Sequence, residues 1–528
     1  MSHSKEYPRP TGVQKLSSWK LLTAQDNITD DILNYKHKGS GTEEDPFLAE
    51  WLPDDPVDPL TYPGWKKWAT TLVMAFSTLA ITFASSGLAG AHPQLQAYFG
   101  VSTQLVNADV SLFVLSFAVG PALWGPLSEL YGRQYIFAGT YAGVTLFSGA
   151  TLASNNIATL LVLRFFAGMC GSSAIVNAAG VISDVFSPRE RGLAGVAFVA
   201  APFLGPTLGP VACGFLAQSK GWKWVVGLIT ILSGVCWLLG MFLVPETYAP
   251  VLLKRRAAKL SKLTGKVYKS KLEAQTAAKP PRELFYSTIV RPWVLLFKEP
   301  IMLFSAIYIA IVYGTLYLSF AAFPIVFAEH RGWSQGITGL SFIGIMVGQI
   351  LGMVYSILDT IRYKKIADRY PNGTPPPEAW LAPSCVGAVA LPIGLFWFAW
   401  TNGNNIPWIV CLIGIAPFGF GQVLVFLSIN QYLLDAYGIY AAGALATNST
   451  FRALFGAAFP LFSTPLYHNL GIHWGTSIPA FLALACLPVP FVFHRYGLKI
   501  RERCTFSREA MRVSEEIRLK STYSETGL

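Results

Sequence analysis

The 528-residue chain is 52% hydrophobic, 14% aromatic and only 13% charged, with a mean hydropathy of +0.44 and a formal net charge of +11. That balance excludes an ordinary soluble globular domain and belongs to a protein surrounded by lipid. The surplus of Lys and Arg falls in short polar segments between apolar blocks, which argues against a nucleic-acid surface and for the positive-inside pattern of a membrane protein.

Residues 1–64 are polar, with acidic and Pro-containing runs at Glu43-Glu44-Asp45-Pro46 and Asp54-Asp55-Pro56. Such a segment is expected to be a largely disordered cytosolic tail. No short apolar segment with a small-residue cleavage site precedes the first long apolar block, so no cleavable signal peptide is expected. Pro63-Gly64-Trp65-Lys66-Lys67 then supplies an aromatic and basic anchor at the membrane surface.

Apolar blocks of roughly twenty residues, the length that crosses about 30 Å of hydrocarbon, follow one another along the chain. Twelve are counted, near 67–90, 108–128, 134–154, 158–182, 192–217, 223–245, 300–327, 336–358, 380–400, 406–430, 440–463 and 475–494. They predict an all-α membrane protein with six-helix bundles over 65–248 and 300–496, a linker over 249–299 and a tail over 497–528. The linker carries twelve Lys or Arg against Glu273, Glu283 and Glu299. Basic residues concentrate on one side, at Lys66-Lys67, Arg133, Arg189 and Arg191, the linker, Arg362 with Lys364-Lys365, and the tail from Arg495, with Lys220, Lys223 and Arg331 the exceptions on the other. The connections 92–107, 155–157, 401–405 and 464–474 contain none. Both termini are therefore expected in the cytosol.

Between spans 2 and 3 the chain reads Gly125-Pro126-Leu127-Ser128-Glu129-Leu130-Tyr131-Gly132-Arg133-Gln134. Two spans joined so closely must turn at the interface, where Glu129 and Arg133 can bond helix termini or each other without entering lipid. The stretch resembles the loop between spans 2 and 3 of the major facilitator superfamily, Gly-x-Leu-Ala-Asp-Arg-x-Gly-Arg-Lys. Gly125, Leu127, Gly132 and Arg133 match, Glu129 stands for Asp, Leu130 for Arg and Gln134 for Lys. The resemblance implies the major facilitator fold and an inner gate clasp of Gly125, Glu129, Gly132, Arg133, Asp184 and Arg191. For Asp184, at the end of span 4, helix capping is the alternative.

Span 4 carries Arg164 within Leu160-Leu161-Val162-Leu163-Arg164-Phe165-Phe166-Ala167-Gly168. A lone buried Arg costs about 3 kcal/mol or more by insertion scales, so it either snorkels to the interface or has a function. Arg-x-x-x-Gly resembles the superfamily's span 4 motif, which implies proton coupling through Arg164; Asp109, at similar depth in span 2, is the nearest candidate acid. Span 5 holds Pro202, Pro206 and Pro210 with Gly205 and Gly209, a spacing that bends the helix and admits a close neighbour. It resembles the antiporter motif Gly-x-x-x-Gly-Pro-x-x-Gly-Gly, with Ala201 and Pro210 replacing the outer glycines, and so implies export. A purely structural kink is the alternative.

Span 8 contains Gly344, Gly348 and Gly352, read as a packing stripe. Its end, Asp359-Thr360-Ile361-Arg362, faintly echoes Glu129 and Arg133 and hints at a parallel repeat. Six cysteines fall within spans and Cys504 in the tail; none has metal-ligand spacing, and no disulfide, metal or cofactor is expected. The sequons at Asn27, Asn372 and Asn448 fall on the cytosolic side or inside a span and should carry no glycan.

From Trp65 to about Arg501 the chain resembles the twelve-span drug:proton antiporters of fungi. The resemblance rests on Trp124-Gly125-Pro126-Leu127-Ser128-Glu129, Pro245-Glu246-Thr247-Tyr248-Ala249-Pro250, Tyr313-Gly314, Asp435-Ala436-Tyr437-Gly438, and Arg452 with Phe459-Pro460-Leu461-Phe462. It implies a proton-coupled efflux transporter for hydrophobic or amphiphilic small molecules, working as a monomer in the plasma membrane, with the vacuolar membrane as alternative. Candidate cavity residues are Phe113, Phe117, Asn177, Tyr313, Tyr317, Phe320, Gln349, Asn430 and Arg452. Scarcity of acids within spans disfavours a polyamine exporter. No phosphate-binding Gly-x-x-x-x-Gly-Lys-[Ser/Thr] or hydrolase signature occurs, so no enzyme is expected; a nutrient symporter or facilitator is the runner-up.

Overall fold

The computed structural model describes residues 28, 30–35, 37–52, 55–187, 190–270, 290–370, 375–403 and 405–526, with backbone alone at positions 30, 191–192, 514 and 517–526. Every one of the twelve apolar blocks is helical. Span 1 is Gly64–Gly87, span 2 Thr103–Tyr131, span 3 Arg133–Thr151, span 4 Ile157–Val185, span 5 Arg191–Lys220 and span 6 Trp222–Leu243. Span 7 is Pro300–Phe323, span 8 Ile343–Ala367, span 9 Ala382–Thr401 and span 10 Trp408–Tyr437. Ala441–Cys486 holds two spans, because Gly471 at φ 74° turns the chain between spans 11 and 12; Pro488–Arg503 continues the twelfth. Only glycine adopts that left-handed conformation without steric cost. Among the described residues nine helical stretches are long and apolar enough to cross a membrane; the last, Trp408–Arg503, runs spans 10 to 12 together, and Arg133–Thr151 is not among the nine.

The two halves pack alike. Span 1 lies on span 5 and span 2 on span 4; in the second half span 7 lies on span 11 and span 8 on span 10. This is a parallel repeat of helix packing, only faintly legible in the Asp359–Arg362 echo. Gly344, Gly348 and Gly352 sit against the carbonyls of Leu412, Ala416 and Phe420 in span 10, where any Cβ would collide, in keeping with the packing stripe. Each half has its own apolar core, and Val110, Val114, Val196, Val199 and Phe203 of the first half join the core of the second.

Hydrogen bonds between the halves connect Gln335 Nε2 to the Gly90 carbonyl, the Gly336 N–H to Gln218 Oε1 (2.8 Å) and Asn107 Nδ2 to Thr464 Oγ1 (3.2 Å). These latch the face opposite the chain ends. At mid-depth Thr207 Oγ1 donates to Gln349 Oε1 (3.1 Å) and Thr450 Oγ1 to the Ala118 carbonyl (3.4 Å).

Two expectations need correction. The link between spans 2 and 3 is not a hairpin over residues 125–134: span 2 stays helical through Pro121 and Pro126 to Tyr131, and the turn is the single residue Gly132, at φ 102°. A carboxylate oxygen of Glu246 occupies the space a Gly132 Cβ would need. The acidic tail, in turn, is folded where it meets the linker. Strand β1 (Phe47–Ala49) pairs in parallel with β2 (Tyr268–Ser270), and Asp55 forms a 2.6 Å ion pair with Arg256 of the linker helix Ala249–Thr264. Both side chains are buried, and the Arg256 guanidinium lies 4.7 Å from the Trp51 ring. Composition predicts disorder for an acidic segment taken alone; here the basic linker supplies the complementary charge. At the other end of the chain, buried Glu299 accepts from the Phe506 N–H (2.9 Å) and Tyr437 hydroxyl (3.2 Å), docking the C-terminal helix Thr505–Thr526. Burial pushes the neighbouring Cys504 thiol up to about 12.

Candidate functional site

Span 4 begins where Asn156 Oδ1 accepts the Thr159 N–H (2.7 Å), which places Arg164 two turns inside the helix. Span 2 begins at the Ser102 cap, with Asp109 at a similar depth. Arg164 is 2% and Asp109 0% exposed, so the Arg does not snorkel. Its Nε donates to Asp109 Oδ1 at 2.6 Å, and Nη2 to the Ala84 carbonyl at 2.8 Å and more weakly to Ser85 at 3.5 Å. These carbonyls lie near the end of span 1, where helical acceptors run out of N–H partners. The guanidinium also stands 4.2 Å from the centre of the Phe113 ring. Asp109 Oδ2 has no hydrogen-bond partner among the described residues and faces His92 Nε2 at 4.0 Å. One carboxylate oxygen is thus tied to a guanidinium while the other stays open to a proton, a geometry suited to proton exchange.

The pair connects to the contact between the halves. The Ser85 hydroxyl meets the Tyr317 hydroxyl at 2.9 Å, Tyr313 donates to Tyr317 at 3.4 Å, and the Arg452 guanidinium lies 4.5 Å from the Tyr313 ring and 5.0 Å from that of Phe426. Nearby, Gln349 Nε2 donates to Gln422 Oε1 (3.1 Å) and Asn448 Nδ2 to Asn430 Oδ1 (3.3 Å). A narrow apolar void between spans 5, 7 and 10 is lined by Phe203, Ile309, Val312, Tyr313, Val425 and Phe426. The structure therefore gathers Tyr313, Tyr317, Gln349, Asn430 and Arg452. Phe320 joins them, edge-on to Tyr317 at 5.3 Å and stacked on Phe342 at 5.1 Å, whereas Phe113 covers Arg164 and Phe117 packs edge-on against Phe113 at 5.6 Å. Asn177 is fully buried with its amide atoms unpartnered among the described residues.

On the face of the chain ends, Arg133 pairs with Asp184 at 3.4 Å and donates through Nη1 to Ser128 Oγ at 2.6 Å. The centre of this cluster is Glu246, fully buried: its carboxylate accepts the N–H groups of Arg133 (2.9 Å), Gln134 (3.2 Å), Thr247 (3.0 Å) and Tyr248 (2.9 Å). It caps span 3 with a negative charge at the positive end of the helix. Thr247 Oγ1 closes the ring by donating to Asp184 Oδ2 (3.2 Å). Burial, more than the nearby Glu129 charge, raises the Tyr248 phenol above its ordinary range. Glu129, expected in this clasp, points outward and makes no ion pair among the described residues. A Gly125 Cβ would meet nothing nearer than Val176, at 3.9 Å, and the Arg191 side chain lies outside the described residues. Sequence reasoning missed Glu246; the available signal was a carboxylate placed directly after Pro245 at the end of an apolar span.

In span 5, Gly205 and Gly209 lie against span 1, where a Cβ would strike Thr82 and Ser86 respectively. Pro210 lacks the N–H that would bond the Pro206 carbonyl, and Ser86 Oγ donates to that carbonyl instead, at 2.7 Å. Thr82 Oγ1 likewise donates to the Ala201 carbonyl at 2.9 Å. Span 5 is thereby hydrogen-bonded to span 1 close to the Ala84 and Ser85 carbonyls that hold Arg164.

Residues 74–460 match the family described as the Major Facilitator Superfamily. The chain is 53% identical over 496 residues to "MFS-type efflux pump MFS2" of Trichophyton rubrum, covering 94% of this chain and 83% of that one. It is 51% identical over 497 residues to "Major facilitator superfamily multidrug transporter mdrA" of Aspergillus fumigatus, covering 94% and 82%. Among solved structures it superposes on the human organic anion transporter MFSD10 with a TM-score of 0.58 at 16% identity, over 81% of this chain and 100% of that one. At that identity the likeness is one of fold.

Proposed function

The chain belongs to the major facilitator superfamily, and on that premise we propose that it exports hydrophobic or amphiphilic small molecules in exchange for protons by alternating access. Export is supported by relatives named as an efflux pump and a multidrug transporter at 53% and 51% identity. Residues 65–248 and 300–496 are the two rocking halves, 249–299 is the cytosolic linker, and the chain acts as a monomer with both ends in the cytosol. The plasma membrane is the proposed site; imaging of a tagged full-length chain separates it from the vacuolar membrane.

The observation that carries proton coupling is the Asp109–Arg164 pair. A proton arriving at Asp109 Oδ2 neutralises the carboxylate and removes the Coulombic hold on Arg164. Arg164 also bonds the carbonyls of Ala84 and Ser85, so its release loosens the end of span 1. Ser85 touches Tyr317 across the contact between the halves, which gives the change a route to the cavity. The antiporter motif acts at the same helix from the other side, through Ser86 and Pro206. At the cytosolic face Arg133, Asp184, Gly132 and Glu246 form the gate clasp.

The test uses inside-out vesicles with an imposed pH gradient and a panel of hydrophobic drugs. Accumulation is expected to follow the gradient and to collapse in Arg164→Ala. Gradient-independent equilibration would make the protein a facilitator, and proton-coupled uptake would reverse the direction.

A further inference from the structure

Arg452 is a buried guanidinium in the second bundle, 5% exposed, and it lacks the carboxylate partner that the buried Arg164 and Arg133 have. Among the described residues no carboxylate lies within ion-pair reach of it. Nη2 donates to Ser449 Oγ at 3.3 Å, one turn away on the same helix, while Nε and Nη1 have no partner. An unpaired charge at this depth is expensive and in membrane proteins marks a ligand or ion site. Its surroundings are amphiphilic in a defined way. The Tyr313 and Phe426 rings flank the guanidinium, and both also line the apolar void between the halves. Asn448, one turn before Arg452 on span 11, keeps its Oδ1 free, and Gln422, one turn before Phe426 on span 10, keeps its Nε2 free.

We propose that Arg452 is the anion-binding subsite of the transport cavity and that preferred substrates carry a carboxylate or similar planar anion on an aromatic or apolar body. Nη2 keeps a second hydrogen that makes a planar fork with Nε or with Nη1, suited to a two-point bond to a carboxylate; Gln422 Nε2 is a spare donor, and the apolar side chains around Tyr313 and Phe426 take the apolar body once the halves part. This rests on the transport reading of the central cavity and names its substrate class. It differs from the roles of Asp109 and Arg164, because Arg452 acts on ligand charge without exchanging a proton.

The experiment measures equilibrium binding of 1-naphthoate and the isosteric neutral 1-naphthamide to the purified full-length protein in lipid nanodiscs at neutral pH, with no gradient. Wild type is expected to bind naphthoate about tenfold or more tightly than naphthamide, the scale of one charge-assisted contact. Arg452→Gln should weaken naphthoate binding at least about tenfold more than it weakens naphthamide binding, and Arg452→Lys should keep part of the preference. Retained naphthamide binding reports that a variant is folded; if Arg452→Gln binds neither ligand, wild type and Arg452→Lys decide. Equal binding of the two ligands by wild type, or equal loss of both in Arg452→Lys, would overturn the proposal. Because no gradient is applied, failure of coupled export in vesicles would count against the antiport reading and leave this result standing.

Discussion

Arg164 Nε and Asp109 Oδ1 meet at 2.6 Å with both side chains buried, joining span 4 to span 2. Removing one partner of a buried pair strands the other charge, at a cost of about 3–5 kcal/mol. Arg164→Ala and Asp109→Asn should each cut gradient-driven transport at least tenfold, and Arg164→Ala should also lower thermal stability. The double variant Asp109→Asn/Arg164→Gln, with no stranded charge, is expected to regain stability without regaining coupling. Recovery of coupled transport in the double variant would separate the pair from the proton path.

Glu246 and Glu129 make opposite predictions for two carboxylates on the same face. Glu246→Ala uncaps span 3 and leaves buried N–H groups unsatisfied, so a loss of about 2–3 kcal/mol is expected in thermal unfolding of the detergent-solubilised protein. Glu129→Ala, on an exposed side chain, should change stability by less than about 0.5 kcal/mol. Gly132→Ala should resemble Glu246→Ala, because it strains a residue at φ 102° and displaces the same carboxylate.

Span 5 offers a graded series. Ser86→Ala removes the side-chain donor to the Pro206 carbonyl and is expected to cost about 1 kcal/mol with export weakened. Gly209→Leu forces span 5 away from span 1 and should abolish transport even where the protein still reaches the membrane. Drug accumulation in cells expressing each variant at matched levels reads both effects; full activity in Gly209→Leu would show that the close approach is dispensable.

The folded tail depends on Asp55 and Arg256. Arg256→Ala should release β1 from the linker, seen as faster hydrogen exchange over residues 47–62 and new protease cleavage there. Exchanging the two residues, Asp55→Arg with Arg256→Asp, should restore part of the protection, and unchanged exchange in the single variant would show that the ion pair does not hold the tail to the linker.

Cys504 provides a chemical reading of tail docking. With its thiol raised to about 12 by burial, it should stay unlabelled by maleimide at pH 8, where an ordinary thiol of pKa near 8.5 reacts readily. Glu299→Ala, which removes the acceptor for the Phe506 N–H, is expected to expose it, as mass spectrometry of labelled peptides would show.

Much of the candidate site was legible because burying charge in lipid is costly: Arg164 and Asp109 stood out against apolar runs, and depth alone paired them. The role of Glu246 was hidden, since a carboxylate at a span end reads as a solvated loop residue until the fold brings the start of span 3, over 100 residues away in sequence, onto it. Glu129 was chosen instead because it is adjacent in sequence to the turn.

Hydropathy and span length by themselves determined a mainly helical multi-span membrane protein, because hydrocarbon thickness acts on local composition. Spacing of the glycines marked span 5 as a helix that admits a close neighbour, which Gly205 and Gly209 do against span 1. Tertiary structure alone decided which charges are satisfied and which are left open. Arg164 is held by Asp109, Ala84 and Ser85, whereas Arg452 faces only rings and a serine. A guanidinium has the same composition in both places; its partners come from helices distant in sequence, and no local pattern encodes that arrangement.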